Sequence, residues 1–262
     1  MKILFKKIIL VMLIGFLAFS SFAQADTQLS AEKILEQSDK LRNPSKPFST
    51  QITLIEYNKG KEANRSIIKV NSKANANNGQ FRSLVQFLRP QSDSGKLMLQ
   101  NGNEIWFYDP AAKNSIRLSA QQRLMGQASN GDVMTSNFAL DYHVKLLAEE
   151  NIKDATKKPR TVYHLHMTAK TKSVTYASAD YWVEKGTNRP VKAKFYSSSK
   201  RLLKIVYYTK FQKQLGQVRP TQVLIIDGVD TRKVTRMQMS NYQNITIPEA
   251  WFQRNYLPHF KG

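Results

Sequence analysis

The stretch Gln80-Phe-Arg-Ser-Leu-Val-Gln-Phe-Leu88 decides the reading of the fold. Phe81, Val85 and Phe87 fall on one side of an extended chain, and Arg82 and Gln86 fall on the other. Successive side chains of a strand point to opposite faces, so this alternation describes a strand buried on one side and wet on the other. The pattern continues outward, through residues 50–57 and 65–71 before it and 96–100 and 104–108 after it. It returns at 160–169, 179–184, 191–197, 202–211, 221–227 and 233–242. Turn residues at 58–60, 101–102 and 186–188 separate many of these segments, and the polar stretch 71–79 reads as a hairpin loop.

Two regions break the alternation. At the start, Ser30 can cap a helix, Glu32 suits its positive first turn, Ile34, Leu35, Ser38 and Leu41 share one face, and Pro44 ends it. In mid-chain, residues 119–147 read as helical in pieces. Ser119 would cap a short helix through Met125, and Asp132 or Ser136 a second through Tyr142, with breaks at Gly126 and Gly131. The expected architecture is mainly β with α, one long antiparallel sheet with an N-terminal helix and a mid-chain helical lid. A twisted sheet of so many strands must curl, and its concave face needs a cover, which the helices supply.

The first 25 residues form a different kind of segment. Lys2, Lys6 and Lys7 precede an apolar run over residues 8–19, and Ala23-Gln-Ala25 offers small residues before Asp26. This is the pattern of a secretory leader cleaved after Ala25, and the run is shorter than the roughly 20 apolar residues that span a bilayer. Residues 26–262 then make a single domain in the periplasm, with 237 residues for its core. The chain has no cysteine, which excludes disulfides, thiolate metal sites and a lipidated anchor. Its formal charge is +21, or +18 without residues 1–25. In an exported protein nucleic acid is not the expected partner; a basic surface there either favours transient contact with anionic membrane or only aids solubility.

Catalytic patterns are missing. The sequence holds no G-x-S-x-G, no H-E-x-x-H and no phosphate-cradling glycine loop. Two S-x-x-K matches, Ser30 to Lys33 and Ser197 to Lys200, read as a helix start and a turn. His164 and His166 share one face of a strand, but no acidic or cysteine cluster lies near them in sequence, so no metal or other cofactor is expected. Such a chain binds rather than transforms.

Three motifs then carry a resemblance: Phe87-Leu-Arg-Pro90, Ser94-Gly-Lys-Leu97 and Asn101-Gly-Asn-Glu-Ile-Trp-Phe-Tyr-Asp-Pro110. With Arg117-Leu-Ser119, Gly126, Gly131-Asp132, Tyr181-Trp182, Arg189-Pro190 and the tail residues Asn244, Pro248 and Phe252, their order is similar to the LolA-like outer-membrane lipoprotein-sorting proteins, in particular a longer branch of that family. The resemblance implies an incomplete antiparallel β-barrel closed by helices over an apolar cavity. It also implies a periplasmic carrier that shelters the acyl chains of a lipoprotein or lipid on the way to the outer membrane. The chain departs from the carrier proper in that Arg89-Pro90 ends the third strand rather than the second, and in its longer segment after Gly186. Longer members are associated with exporters of the resistance–nodulation–division superfamily. That leaves a second reading as accessory or sensor of such an inner-membrane exporter or of an envelope-stress partner, and a third as a hydrolase.

Each acyl CH₂ removed from water is worth about 0.8 kcal/mol, so a chain crossing an aqueous space needs shelter. Candidates for the lining are Phe81, Val85, Phe87, Leu97, Leu99, Trp106, Tyr108 and Trp182. Met125, Met134, Phe138 and Leu140 are candidates for the underside of the lid, where pliable methionines suit varied acyl shapes. Trp106 and Tyr108 share one face of their strand and Ile105 and Phe107 the other, and the pattern alone leaves open which pair faces inward.

Overall fold

The alternating segments join into one antiparallel sheet of thirteen strands. The computed structural model describes residues 30–102 and 104–262, so the leader reading of residues 1–25 lies outside the described residues. Helix α1 (Ala31–Arg42) leads into a first meander of β1 (Phe48–Asn58), β2 (Lys61–Ala74), β3 (Phe81–Arg89), β4 (Leu97–Asn101), β5 (Glu104–Asp109) and β6 (Asn114–Leu118). A small hairpin follows, β7 (Arg123–Met125) and β8 (Ala128–Ser129), then two single turns, α2 (Asn130–Val133) and α3 (Phe138–Asp141). The second meander runs β9 (Tyr142–Lys153), β10 (Pro159–Ala169), β11 (Ser178–Glu184), β12 (Pro190–Tyr196), β13 (Leu202–Gln214), β14 (Gln217–Asp227) and β15 (Lys233–Asn244).

Pairing of β1 with β15 welds the two meanders at the middle of the sheet. Strands β6 and β9 are left as its two edges. The sheet is curved and open, not closed. Residues 119–141 connect one edge to the other, and they do so across the concave side. Gln127 N–H donates to Thr235 Oγ1 at 2.7 Å, and a Cβ on Gly126 would collide with that same hydroxyl. The tip of the β7–β8 hairpin therefore rests on β15, at the centre of the sheet.

Here the structure corrects the helical reading of the mid-chain. No helix runs from Ser119 to Met125; Met125 pairs with Ala128, and Gly126 turns the chain at φ +55°, a conformation that suits glycine. The lid is a hairpin plus two four-residue turns. Strand β9 also begins at Tyr142, inside the stretch read as lacking strands. Its pairing with β10 skips Leu147, which bulges between Leu146 and Ala148, so the strand changes face there and one alternation does not run through it.

Helix α1 closes one end of the hollow. Ser30 Oγ accepts from Lys33 N–H at 3.2 Å, and Ile34, Leu35 and Ser38 are buried. The carbonyls of its last turn are met from the sheet. Arg219 of β14, itself buried, donates through Nη1 to the oxygens of Lys40 (3.0 Å) and Leu41 (2.9 Å). A cation at the negative end of a helix completes bonds that the helix cannot make for itself.

Two buried ion pairs hold the lid. Lys204 of β13 reaches inward, donating to Asp132 Oδ2 at 2.7 Å, Gln127 O at 2.8 Å and Ser129 Oγ at 3.1 Å. Tyr176 OH donates to the other oxygen of Asp132 at 2.7 Å. At the second anchor Arg42 pairs with Asp39 at 2.9 Å, donates to Ser136 O at 2.9 Å and lies 3.6 Å over the Phe138 ring. Asp39 accepts from Ala139 N–H at 2.8 Å, and Asn43 Nδ2 donates to Ser136 O at 2.7 Å. Burial pushes the Asp39 carboxyl up to about 6, against the pull of Arg42 and the Ala139 N–H.

Removing one partner of a buried pair strands the other charge, so Lys204→Met should cost about 3–5 kcal/mol in urea unfolding. The double variant Lys204→Met/Asp132→Asn should cost less than the single one, because no uncompensated charge remains. For Asp39 the sign is opposite to that of an ordinary paired carboxylate. Between its unfolded value near 3.8 and about 6 the folded state holds the extra proton, so this group's contribution is complete below that window and is lost as pH rises through it. The stability of the wild type relative to Asp39→Asn should therefore fall, by about 2 kcal/mol, between pH ~4 and pH ~7. Parallel stability curves for the two proteins would contradict the assignment.

Candidate functional site

The sheet sorts its apolar residues onto two faces. On the concave face one large cluster includes Ile52, Leu54, Ile68, Val70, Val85, Phe87, Met98, Ile105, Phe195, Val206, Val223, Ile225 and Met237. Two smaller clusters lie on the convex face. One gathers Leu84, Leu97, Leu99 and Tyr108 beneath the C-terminal tail, whose Ile247, Phe252 and Leu257 are buried there. The other is Val162, Trp182 and Val191 on strands β10 to β12.

Between the concave face and the lid a hollow of about 160 Å³ remains, partly open to solvent. Strands β12 to β15 supply Phe195, Val206, Tyr208, Val223, Ile225, Met237 and Met239. Strands β1 and β2 supply Phe48, Ile52 and Val70, and the lid supplies Val133, Met134 and Phe138. An apolar cavity of roughly 150 Å³ holds one benzene ring, so in this conformation the hollow takes a short hydrocarbon segment and not a whole acyl chain. Among its polar groups Arg42 and Asp132 are ion-paired, and Asp141 accepts from Gln80 Nε2 at 2.8 Å. Burial raises the phenols of Tyr142, Tyr176 and Tyr208 above their ordinary value, so all three stay protonated at neutral pH. Arg42 lines one side, already paired with Asp39.

Of the residues singled out in the sequence, Met134 and Phe138 line this hollow. Val85 and Phe87 belong to the concave cluster, deeper under β3, and Phe81 is buried on the same side of that strand. Met125 packs against the cluster without lining the hollow. Leu97, Leu99, Trp106 and Tyr108 face the other way, under the tail, where Arg254 sits 4.0 Å over the Trp106 ring. Ile105 and Phe107 are the inward pair of that strand. Trp182 is also convex, stacked at 4.4 Å on His164 and donating to Glu150 at 2.6 Å. Leu140 is 37 % exposed and does not line the hollow. The lining from β12 to β15 was not singled out, although Val206/Tyr208, Val223/Ile225 and Met237/Met239 are each spaced by two and so share a face.

The histidines and the S-x-x-K serines sit in local contacts, although His164 Nε2 is buried without a hydrogen-bond partner. His166 Nδ1 lies 2.9 Å from Asp180, and His164 Nδ1 lies 3.1 Å from Glu150. Among the described residues no group of three or more His, Cys, Asp or Glu side chains is arranged to hold a metal. Ser30 caps α1, and Ser197 closes a turn in which Lys200 N–H donates to its carbonyl at 2.9 Å.

Comparison with known proteins places this architecture. A family model described only as that of an uncharacterized protein matches residues 79–259. No curated protein matches the chain. Among solved structures, a LolA superfamily protein from Nitrosomonas europaea is 34 % identical with a TM-score of 0.78, over 87 % of this chain and 99 % of that one. A DUF1329 family protein from Desulfovibrio piger (24 % identity, TM-score 0.73) covers 87 % of this chain and 97 % of its own. A domain assigned as an outer membrane lipoprotein-sorting protein from Vibrio parahaemolyticus (19 % identity, TM-score 0.71) covers 87 % and 98 %. At those identities the last two share the fold. With a concave apolar face, a lid that bridges the two edges, and a relative matched over its whole length, the chain belongs to the LolA superfamily.

Proposed function

We propose that the protein is a periplasmic carrier that shelters an acyl chain of a lipoprotein or lipid in the hollow beneath its lid. One observation carries this reading: an apolar hollow lies between the sheet and a lid built of loops and single turns, which a hydrocarbon tail can enlarge by displacing the lid. Each half of the lid is tied down by a buried ion pair, beside buried apolar residues: Ala128, Val133 and Met134 in one half and Phe138 in the other. The methionines Met134, Met237 and Met239 around the hollow adapt to varied chain shapes. The N-terminal leader pattern supports export, and the resemblance to a lipoprotein-sorting domain supports the cargo class. Among the described residues no helix is long and apolar enough to cross a membrane. The basic surface suits brief contact with anionic bilayer at loading and release.

Native mass spectrometry of protein isolated from its own envelope is the direct test. Copurified acyl species of defined mass support a carrier; a protein that is always empty and bound to a membrane partner supports the accessory or sensor role. A variant supplies the second test. Val223→Trp fills the hollow at a cost of about 1–3 kcal/mol in stability. It should lower binding of the neutral dye N-phenylnaphthylamine by about tenfold or more, the effect of losing roughly 1.4 kcal/mol of apolar contact. Unchanged dye binding in a folded Val223→Trp protein would move the site away from this hollow.

A further inference from the structure

The charge of the chain is unevenly placed. Residues 185–226, which span β12, β13 and β14, carry ten lysines and arginines and no aspartate or glutamate. Some of these cations serve the fold. Lys204 is paired with Asp132, Arg219 meets the carbonyls of α1, and Lys185 pairs with Glu149 at 2.7 Å. Lys192 and Lys194 have only aromatic rings for partners among the described residues. Their Nζ atoms lie 5.2 and 5.8 Å from the Trp182 ring, on the convex face, and Lys192 lies 5.4 Å from Tyr207. The carboxylates of this face are engaged. Asp180, opposite Lys194, accepts from Tyr196 OH at 2.8 Å and lies 2.9 Å from His166 Nδ1, and Glu150 accepts from Trp182 Nε1 at 2.6 Å.

An apolar strip runs beside the two lysines. Lys192 lies opposite Tyr207 and Lys194 opposite Ile205. Tyr207 in turn lies opposite Leu224, and Ile205 opposite Ile226. Leu224 then meets Arg236, and Ile226 meets Val234. Residues directly opposite share a face of the sheet, so these pairings make two rows across the convex side of β12 to β15. All eight residues are half-buried, and the five apolar ones belong to none of the three buried clusters. The C-terminal tail covers the other part of this face, over β3 to β5. At the far end Arg236 lies 5.3 Å over the Tyr57 ring, and its Nε is buried without a hydrogen-bond partner.

A contiguous half-exposed apolar strip with a charged rim marks a contact surface. Long cationic side chains lay their stems along apolar neighbours and hold their charge outward, and Trp and Tyr gather at the same depth of a lipid interface. An acidic protein would seat anchor side chains in pockets, whereas this face is a convex ladder of paired strands. We propose that the convex face of β12 to β15 docks on an anionic phospholipid bilayer, with Lys192, Lys194 and Arg236 at the phosphates and the apolar strip between them at the interface. The assignment rests on the carrier reading for why the protein meets a membrane, and it names the face that does so.

Sedimentation with vesicles of phosphatidylethanolamine and phosphatidylglycerol, against vesicles of phosphatidylcholine alone, is the test. The wild type should bind the anionic vesicles and leave the zwitterionic ones. Lys192→Gln/Lys194→Gln should weaken that binding by about thirtyfold, the worth of two cations at an anionic surface. Lys157→Gln/Lys158→Gln, which removes the same charge from the turn between β9 and β10, should weaken it by less than about threefold. Ile226→Ser should cost about tenfold through lost apolar contact. Equal losses from the two lysine pairs, or equal binding to both lipids, overturn the assignment. So does a wild type that ignores both vesicles; if it binds polyglutamate instead and the Lys192→Gln/Lys194→Gln protein does not, the face belongs to an acidic protein. Dye binding in the hollow should be unchanged in Lys192→Gln/Lys194→Gln, and vesicle binding unchanged in Val223→Trp, so the docking face and the carrier reading fail separately. Should Ile226→Ser fail to fold, the two lysine pairs decide the matter.

Discussion

The structure depends on one constraint: the chain that leaves the sheet at edge β6 must re-enter it at edge β9, and the path it takes lies over the concave face. A connection that runs over a buried surface carries peptide groups away from water, and each of these needs a partner. The partners come from inward-facing polar residues on an otherwise apolar face. Thr235 receives the Gln127 N–H, Lys204 takes the Gln127 carbonyl, and Ser83 Oγ accepts from Thr135 N–H at 3.3 Å. Arg42 and Asn43, at the end of α1, both meet the Ser136 carbonyl. The hollow is the space that this path does not fill. Its walls are set by strand alternation and its roof by where the polar anchors happen to fall.

The same constraint explains what could be read from the sequence. Strands with one dry face announce themselves, as β3 does with Phe81, Val85 and Phe87 buried beside a wetter Arg82 and Gln86. The helix start at Ser30 was equally legible, since capping is a local matter. Edge strands were not. In β6 the residues Asn114 and Arg117 are exposed and Ile116 is half exposed, so no buried stripe exists to detect. The lid has no period because its conformation answers to Lys204, Thr235 and Arg42, each distant in sequence. The direction of the aromatic residues was hidden for a different reason. Leu97, Leu99, Trp106 and Tyr108 are buried by a tail of 3₁₀ turns at Glu249–Phe252 and Arg254–His259, so both faces of β4 and β5 read as apolar. Alternation reports burial on a face; it does not say which face is inside.

Charge placement follows a consistent division. Most ion pairs lie at the surface, as with Arg65–Glu62 and Arg232–Asp230, where solvent leaves such pairs worth little. Among the described residues the two that lie inside, Lys204–Asp132 and Arg42–Asp39, are the two that hold the lid. A buried pair is weak evidence for stability, because its desolvation can cancel its attraction. It is better suited to registry, fixing where a loop sits.

That property bears on how a tail could enter. The resting hollow has room for about one ring's worth of carbon, so a longer chain must displace part of the lid. Burying a further run of about ten methylenes returns roughly 8 kcal/mol, at about 0.8 kcal/mol each. Breaking a buried pair by exposing both partners to water costs far less than stranding one of them, since each charge regains its hydration. Lid anchors made of ion pairs can therefore yield to a hydrocarbon chain, where an equally large apolar contact would compete with the ligand for the same driving force. On the proposed carrier reading the lid would give up polar contacts that water can replace, together with the apolar contacts of Val133, Met134 and Phe138, and the tail would supply apolar contacts in their place.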